Sequence, residues 1–346
     1  MRILRVPLVF LVGISLILLS CVTSAYGDDG SGGERSWAKL KLEFYGGYSS
    51  LNPSDLNTNA NYYEKYYDWY YGNQYLYCSS VYGDYFQSTG SKSGEFQKIN
   101  RAFPLGVRIK YYVTSRLALS LGFQYVTKEE TSSIKYQYDV RSTIPDDPQF
   151  IEDFIRTLEF SPLSITLKGY TPLLGIHYTI PLFQTFHLEG FVTGGILFAR
   201  FKYSSKNIYG YSNIYEFWEE SVSEYGYEGK GTGYTLGAGV RVEWHALRNF
   251  GLFIEGGYSL QKAGQIFGPY TYDYCYRDCN ASEICDPTIN YEGYWGLSSV
   301  YINREWGGFS GKRLQLFSDS TDSQVGDFHL DLSGFQIRFG LSIRIR

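Results

Sequence analysis

The sequence predicts an all-β fold: an eight-stranded antiparallel up-and-down barrel that crosses a membrane on its strands. Three observations predict it. Apolar and polar residues alternate with period two while charge stays on one face, the alternating segments pair around tight turns, and long connections fall at only one end of the hairpins. A soluble sheet hides its apolar face; a barrel in lipid shows it outward and keeps a polar interior.

The clearest hairpin is Gly237 to Leu260. Val240, Val242 and Trp244 alternate with Arg241, Glu243 and His245, and after a turn near Leu247 to Asn249, Leu252, Ile254, Tyr258 and Leu260 alternate with Phe253, Glu255 and Ser259. The same plan occurs at Leu105 to Tyr125, where Val107, Ile109 and Tyr111 oppose Arg108, Lys110 and Tyr112 before a turn at Thr114 to Arg116. It occurs again at Leu174 to Gly195, where Ile176, Tyr178 and Ile180 oppose His177 and Thr179. Three hairpins supply six strands. Trp37 to Leu51 adds a first strand, with Leu40, Leu42, Phe44 and Tyr48 opposing Lys39, Lys41, Glu43 and Tyr45. Phe335 to Arg346 adds the last, with Phe335, Ile337, Phe339, Leu341, Ile343 and Ile345 opposing Gln336, Arg338, Ser342 and Arg344. An even number lets the first and last strands meet antiparallel and close the sheet.

Ahead of the first strand, Arg2 and Arg5 precede an apolar run from Val6 to Leu19 and then small residues, the pattern of an export signal over residues 1–27. Ala25-Tyr26-Gly27 fits cleavage before Asp28, while Leu18-Leu19-Ser20-Cys21 fits a lipoprotein box that would make Cys21 the lipidated first residue. Residues 28–36 read as a linker and 37–346 as the barrel domain. Beyond the signal no segment approaches the roughly 18 apolar residues of a helical span. A composition with Tyr 35, Phe 23 and Gly 38 suits aromatic-rich strands, and a net charge of -4 makes no case for nucleic acid.

The interior of an eight-stranded barrel holds side chains and little else. Lys41, Glu43, Arg108, Lys110, Glu189, Arg241, Glu243, Glu255 and Arg338 are all expected there, so opposite charges must pair. His177, His187 and His245 share the lumen-facing register and read as hydrogen-bonded filler rather than as a metal centre. In the outer loops, Tyr62/Tyr63, Tyr66/Tyr67 and Tyr70/Tyr71 recur every four residues, which predicts a tyrosine stripe on a short helix within Asn61 to Phe86. Such tyrosines are contact residues for a protein or glycan, or pack the loops together. Gln149 to Phe160 predicts a short amphipathic helix, and Gln74 to Gln87 and Val300 to Phe317 offer extra hairpin pieces above the membrane.

Four cysteines follow the signal: Cys78, Cys275, Cys279 and Cys285. An exported chain with an even count favours disulfides. We expect one bridge from Cys78 to the last loop and one within that loop, with the partner of Cys78 left open.

Carried by LKLEFYGGYSSL and FQIRFGLSIRIR, the chain resembles the small bacterial outer-membrane β-barrel families related to OmpA, OmpW and the opacity proteins. It departs from them at Ile345-Arg346, where such families commonly end in an aromatic residue read by the assembly machinery. The resemblance implies a bacterial outer-membrane location, with outer-membrane lipid and the barrel assembly machinery as partners. The resulting expectation is a non-enzymatic barrel without cofactor or metal, whose tyrosine-rich, disulfide-tied loops touch a surface protein or glycan above a plugged lumen. Likeness to the OmpW group would instead imply passage of small apolar solutes. A lipid-modifying barrel enzyme is a third reading, though the same-face triplet His329, Asp331 and Ser333 is one that alternation alone produces.

Overall fold

A computed structural model describes residues 40–345, apart from breaks at 52, 83–85, 145–146, 184, 214–217, 246, 248, 279–283, 305–306 and 319–327. The export-signal, lipobox and linker segments lie outside the described residues, as do Cys279 and the side chains of Tyr71 and Cys78.

The chain runs β1 (Leu40–Ser50), α1 (Ser54–Tyr82), β2 (Phe86–Gly94), β3 (Arg101–Tyr112), β4 (Leu117–Ile144), β5 (Asp147–Pro181) and β6 (Phe186–Asn213). It continues through β7 (Trp218–Trp244), β8 (Phe250–Asp278), β9 (Ile284–Cys285), β10 (Ile289–Arg304), β11 (Gly307–Phe317), β12 (Leu330–Asp331) and β13 (Gly334–Ile345). Among the described residues these strands form one 13-stranded antiparallel sheet, not the eight strands expected from the sequence. Within it, pairing runs β1, β3, β4, β5, β6, β7, β8, β13 and back to β1, so each of these has two hydrogen-bonded neighbours. β10 and β11 form a hairpin on the outer part of β8, β2 pairs with the outer part of β4, and β9 and β12 pair with β8.

The expected long loops are largely strand. β4 is 28 residues, β5 is 35 and β8 is 29, far beyond the roughly 9–11 that cross a bilayer. Gln149 to Phe160, expected to be helical, lies in β5, and Gln74 to Tyr82 lies in α1 rather than in a hairpin; Val300 to Phe317 does fall in the β10–β11 hairpin. The tyrosine segment is helical as its four-residue spacing suggests, but the helix is 29 residues long.

Strands β4 and β6 change chemistry partway up without changing face. On β4, Leu119 and Leu121 point outward and exposed while Ala118, Ser120 and Gln124 are buried; farther along, Glu129 and Thr131 are outside while Val126, Ile134 and Tyr136 are buried. On β6, Val192, Ile196 and Phe198 are exposed beside buried Glu189 and Thr193, and beyond them Lys202 is outside while Leu197, Ala199 and Phe201 are inside. The turn end is thus apolar outside and polar inside, as lipid requires, and the far end obeys the soluble rule.

The apolar half of the interior is a packed core. Ile165, Leu167, Leu197, Phe201, Phe328 and Leu332 meet in it, joined by Leu56 and Ala60 of α1 and by Trp295 of β10. Trp295 Nε1 donates to the Glu228 carbonyl at 2.7 Å and its ring packs on Phe201 and Tyr227, which fastens the β10–β11 hairpin across the mouth. Cys275 and Cys285 are disulfide-bonded and hold β9 against β8, which supplies the bridge within the last loop; the bridge expected from Cys78 lies outside the described side chains.

Candidate functional site

Register alone assembles the charged lumen. Glu43 faces Arg108 across β1–β3, Glu189 faces Arg241 across β6–β7, and Glu255 faces Arg241 and Arg338 on its two neighbouring strands. Lys41, Glu43, Arg108, Lys110, Glu189, Arg241, Glu243, Glu255 and Arg338 are all buried. Glu43 sits at the centre, 2.7 Å from Arg241, 3.0 Å from Lys110 and 3.5 Å from Arg108. Arg108 makes a two-pronged contact with Glu255 at 3.1 and 3.3 Å, Arg338 reaches Glu255 at 3.0 Å, and Lys41 and Arg241 both bond Glu243. Paired this way, ions deprived of water recover in mutual attraction much of what desolvation costs.

Three rings complete the filling, and each lies over a glycine directly opposite it: Tyr45 over Gly106, Phe191 over Gly239 and Phe253 over Gly340. A Cβ at Gly106 would collide with the Tyr45 ring. The rings then stack on guanidinium groups, Arg241 3.5 Å above Phe253 and Arg108 and Arg338 each 5.2 Å from Tyr45. The pairing of interior aromatics with strand glycines escaped the sequence reading; glycine at a lumen position of the adjacent strand is its signal.

His177 lies 2.8 Å from both Glu189 and Ser120, and His245 lies 2.7 Å from His187 and 2.6 Å from Arg344. The three histidines therefore occupy two separate sites, and among the described residues no group of three metal-ligating side chains converges. Of the triplet His329, Asp331 and Ser333, Ser333 accepts the Gln261 N–H and its own N–H donates to Asp331, while the His329 N–H donates to Asp55.

Above the core, α1 packs Tyr62, Tyr63, Tyr66 and Tyr67 against strands and hairpin at the barrel mouth instead of displaying them to solvent. Tyr67 packs on Phe160 at 4.5 Å, the Tyr63 hydroxyl lies 3.4 Å from that of Tyr227, and Tyr62 and Tyr66 pack on Phe309 of β11. Asn57 and the backbone of Ile99 exchange two hydrogen bonds, and Asn59 accepts the Leu314 N–H, so both flanks of the helix are tied down. Lys92 of β2 bridges Glu64 and Asp68 at 3.0 Å each.

Between α1, the inner faces of β6 to β8 and the β10–β11 hairpin an outward-opening cleft of about 310 Å³ remains. Phenols form most of its wall, with Ser205, Asn207 and Arg313 as further polar groups and no carboxylate among its described lining residues. Burial pushes the phenols of Tyr225 and Tyr270 up to about 12, and burial raises Tyr203 and Tyr227 as well. They stay neutral at physiological pH and offer O–H groups beside flat apolar faces.

No protein-family model matches the sequence, and neither does any curated protein. Among solved structures, the chain is similar to Ail, the attachment invasion locus protein of Yersinia pestis, crystallised with the heparin analogue sucrose octasulfate: identity is 11%, coverage 64% of this chain and 88% of that one, and the TM-score 0.27. It is also similar to the outer membrane protease OmpT of Escherichia coli, at 7% identity over 90% of this chain and 99% of that one, with a TM-score of 0.26. Likenesses at this level assign no role to this chain, and the finer resemblance to OmpA, OmpW and the opacity proteins finds no support among them. They do correct the expectation of a non-enzymatic protein: OmpT is a protease, so a barrel architecture gives no ground for denying catalysis.

Proposed function

We propose that the protein sits in the bacterial outer membrane as a rigid, plugged barrel of eight spanning strands and binds a surface ligand in the tyrosine-lined cleft at its outer mouth. One observation carries this reading: an open, aromatic-walled cleft stands directly above an interior filled first by packed side chains and then by paired charges. The ligand class that fits is a glycan, whose C–H faces stack on tyrosine rings while its hydroxyls meet phenols, Ser205 and Asn207. Solute passage, the channel reading, has no comparable observation behind it, because the lumen charges are buried against one another.

Two measurements test the reading on the full chain in detergent and in planar bilayers. Immobilised neutral and acidic oligosaccharides should retain the protein, and Tyr67→Ala and Asn207→Ala should each weaken retention while leaving the gel shift between unheated and boiled samples intact. In bilayers no steady conductance is expected. Stable open channels, or no retention by any oligosaccharide, would sink the proposal.

A further inference from the structure

On the outside of the barrel, the border between apolar and polar surface carries a row of like charges. Tyr125 of β4, Tyr170 of β5 and Phe198 of β6 are direct cross-strand neighbours and form the last aromatic row of the apolar belt. Two residues farther out on the same face, Lys168 of β5 faces Arg200 of β6, and Arg200 faces Lys230 of β7. Lys202 stands one step above Arg200, also facing outward. Like charges set directly opposite each other weaken a sheet. Among the described residues, the carboxylate within ion-pair distance of this group is Glu228, 2.6 Å from Arg200 and 3.4 Å from Lys202. By contrast, Lys262, outward on the neighbouring β8, has a carboxylate of its own in Asp331 at 3.8 Å.

Resting on the membrane reading above, we propose that Lys168, Arg200 and Lys230, with Lys202 beside them, form a binding site for the phosphate groups of an anionic lipid headgroup in the outer leaflet. The height is that of a headgroup, one turn of the pleat above the aromatic row that marks the edge of the hydrocarbon. Adjacent strands are about 4.8 Å apart, so the row spans roughly 10 Å, wide enough to take two phosphates of one lipid. Arg200 supplies the planar donor fork that suits phosphate oxygens, and the lysines supply point charges on flexible stems. Bound phosphate would cancel the repulsion along the row, so lipid and barrel stabilise each other through the same contacts. The surface is distinct from the cleft at the mouth, since these side chains point out of the barrel and the cleft residues point in.

The test uses the full chain reconstituted in neutral phospholipid vesicles and titrated with lipid A carrying two phosphates, with dephosphorylated lipid A, or with soluble pyrophosphate. The phosphorylated lipid should raise the temperature at which the unheated gel form is lost and should bind about tenfold or more tighter than the dephosphorylated form. The triple variant Lys168→Gln, Arg200→Gln, Lys230→Gln should lose that preference, and added salt should weaken it. Equal effects of the two lipids, an unchanged preference in the triple variant, or equal protection by pyrophosphate would each overturn the site. A wild-type chain that enters the vesicles yet ignores phosphate sinks this inference alone; one that does not enter them sinks the membrane reading too.

Discussion

The hydroxyl of Tyr63 on α1 lies 3.4 Å from the hydroxyl of Tyr227 on β7, inside the barrel mouth. That meeting turns a tyrosine-rich surface segment into an internal strut, and it makes docking of the helix depend on neutral phenols. Burial holds the phenols of Tyr225 and Tyr270 at about 12, above the ordinary value of 10.0. Below pH 10 docked and undocked states bind the same phenolic protons; between 10 and about 12 the undocked state releases protons that the docked state keeps, so docking weakens as pH rises. Amide hydrogen exchange in α1 should increase in that window while the unheated gel form survives. A helix still protected well above pH 12 would contradict the linkage.

Removing the central carboxylate of the lumen should be among the costliest single changes. Glu43→Gln leaves Arg241, Lys110 and Arg108 short of one shared counter-charge in a fully buried site. Loss of one member of a buried ion network costs about 3–5 kcal/mol. Urea midpoints of the gel shift in detergent check this, and a variant as stable as the parent would show that the network is not what stabilises the interior.

Interior rings and their glycines should be coupled. Gly106→Val forces the Tyr45 ring off its seat, and overpacking of this kind costs about 1–3 kcal/mol. Adding Tyr45→Leu should restore part of the loss. Purely additive effects in the two-residue cycle would mean that ring and glycine do not act together.

The change of chemistry along the strands predicts opposite tolerance at two heights. Val240, 60% exposed in the middle of the belt, should lose about 2–4 kcal/mol on replacement by lysine, whereas Thr131→Lys, outward on β4 above the belt, should cost close to nothing. Equal costs, measured by denaturant titration in lipid vesicles, would place the belt elsewhere.

Alternation is a local property, so the sequence by itself determined which residues look into the lumen and which look out over residues 40–50, 105–125, 174–195, 237–260 and 335–345. Lys41, Arg108, Glu189, Arg241, Glu255 and Arg338 face inward for the same reason: with period two, one correct residue fixes its whole strand. The outer half resisted that logic. Above the belt the apolar side turns inward, and a register shift between Phe160 and Leu163 breaks the parity of β5, so strand residues there read as loop or helix. Only the tertiary structure decided that α1 enters the mouth, that Tyr45 rests on Gly106, and that Lys168, Arg200 and Lys230 stand in one row. Those relations depend on which strands become neighbours and at what stagger, and cross-strand hydrogen bonding sets both across separations that no local pattern spans.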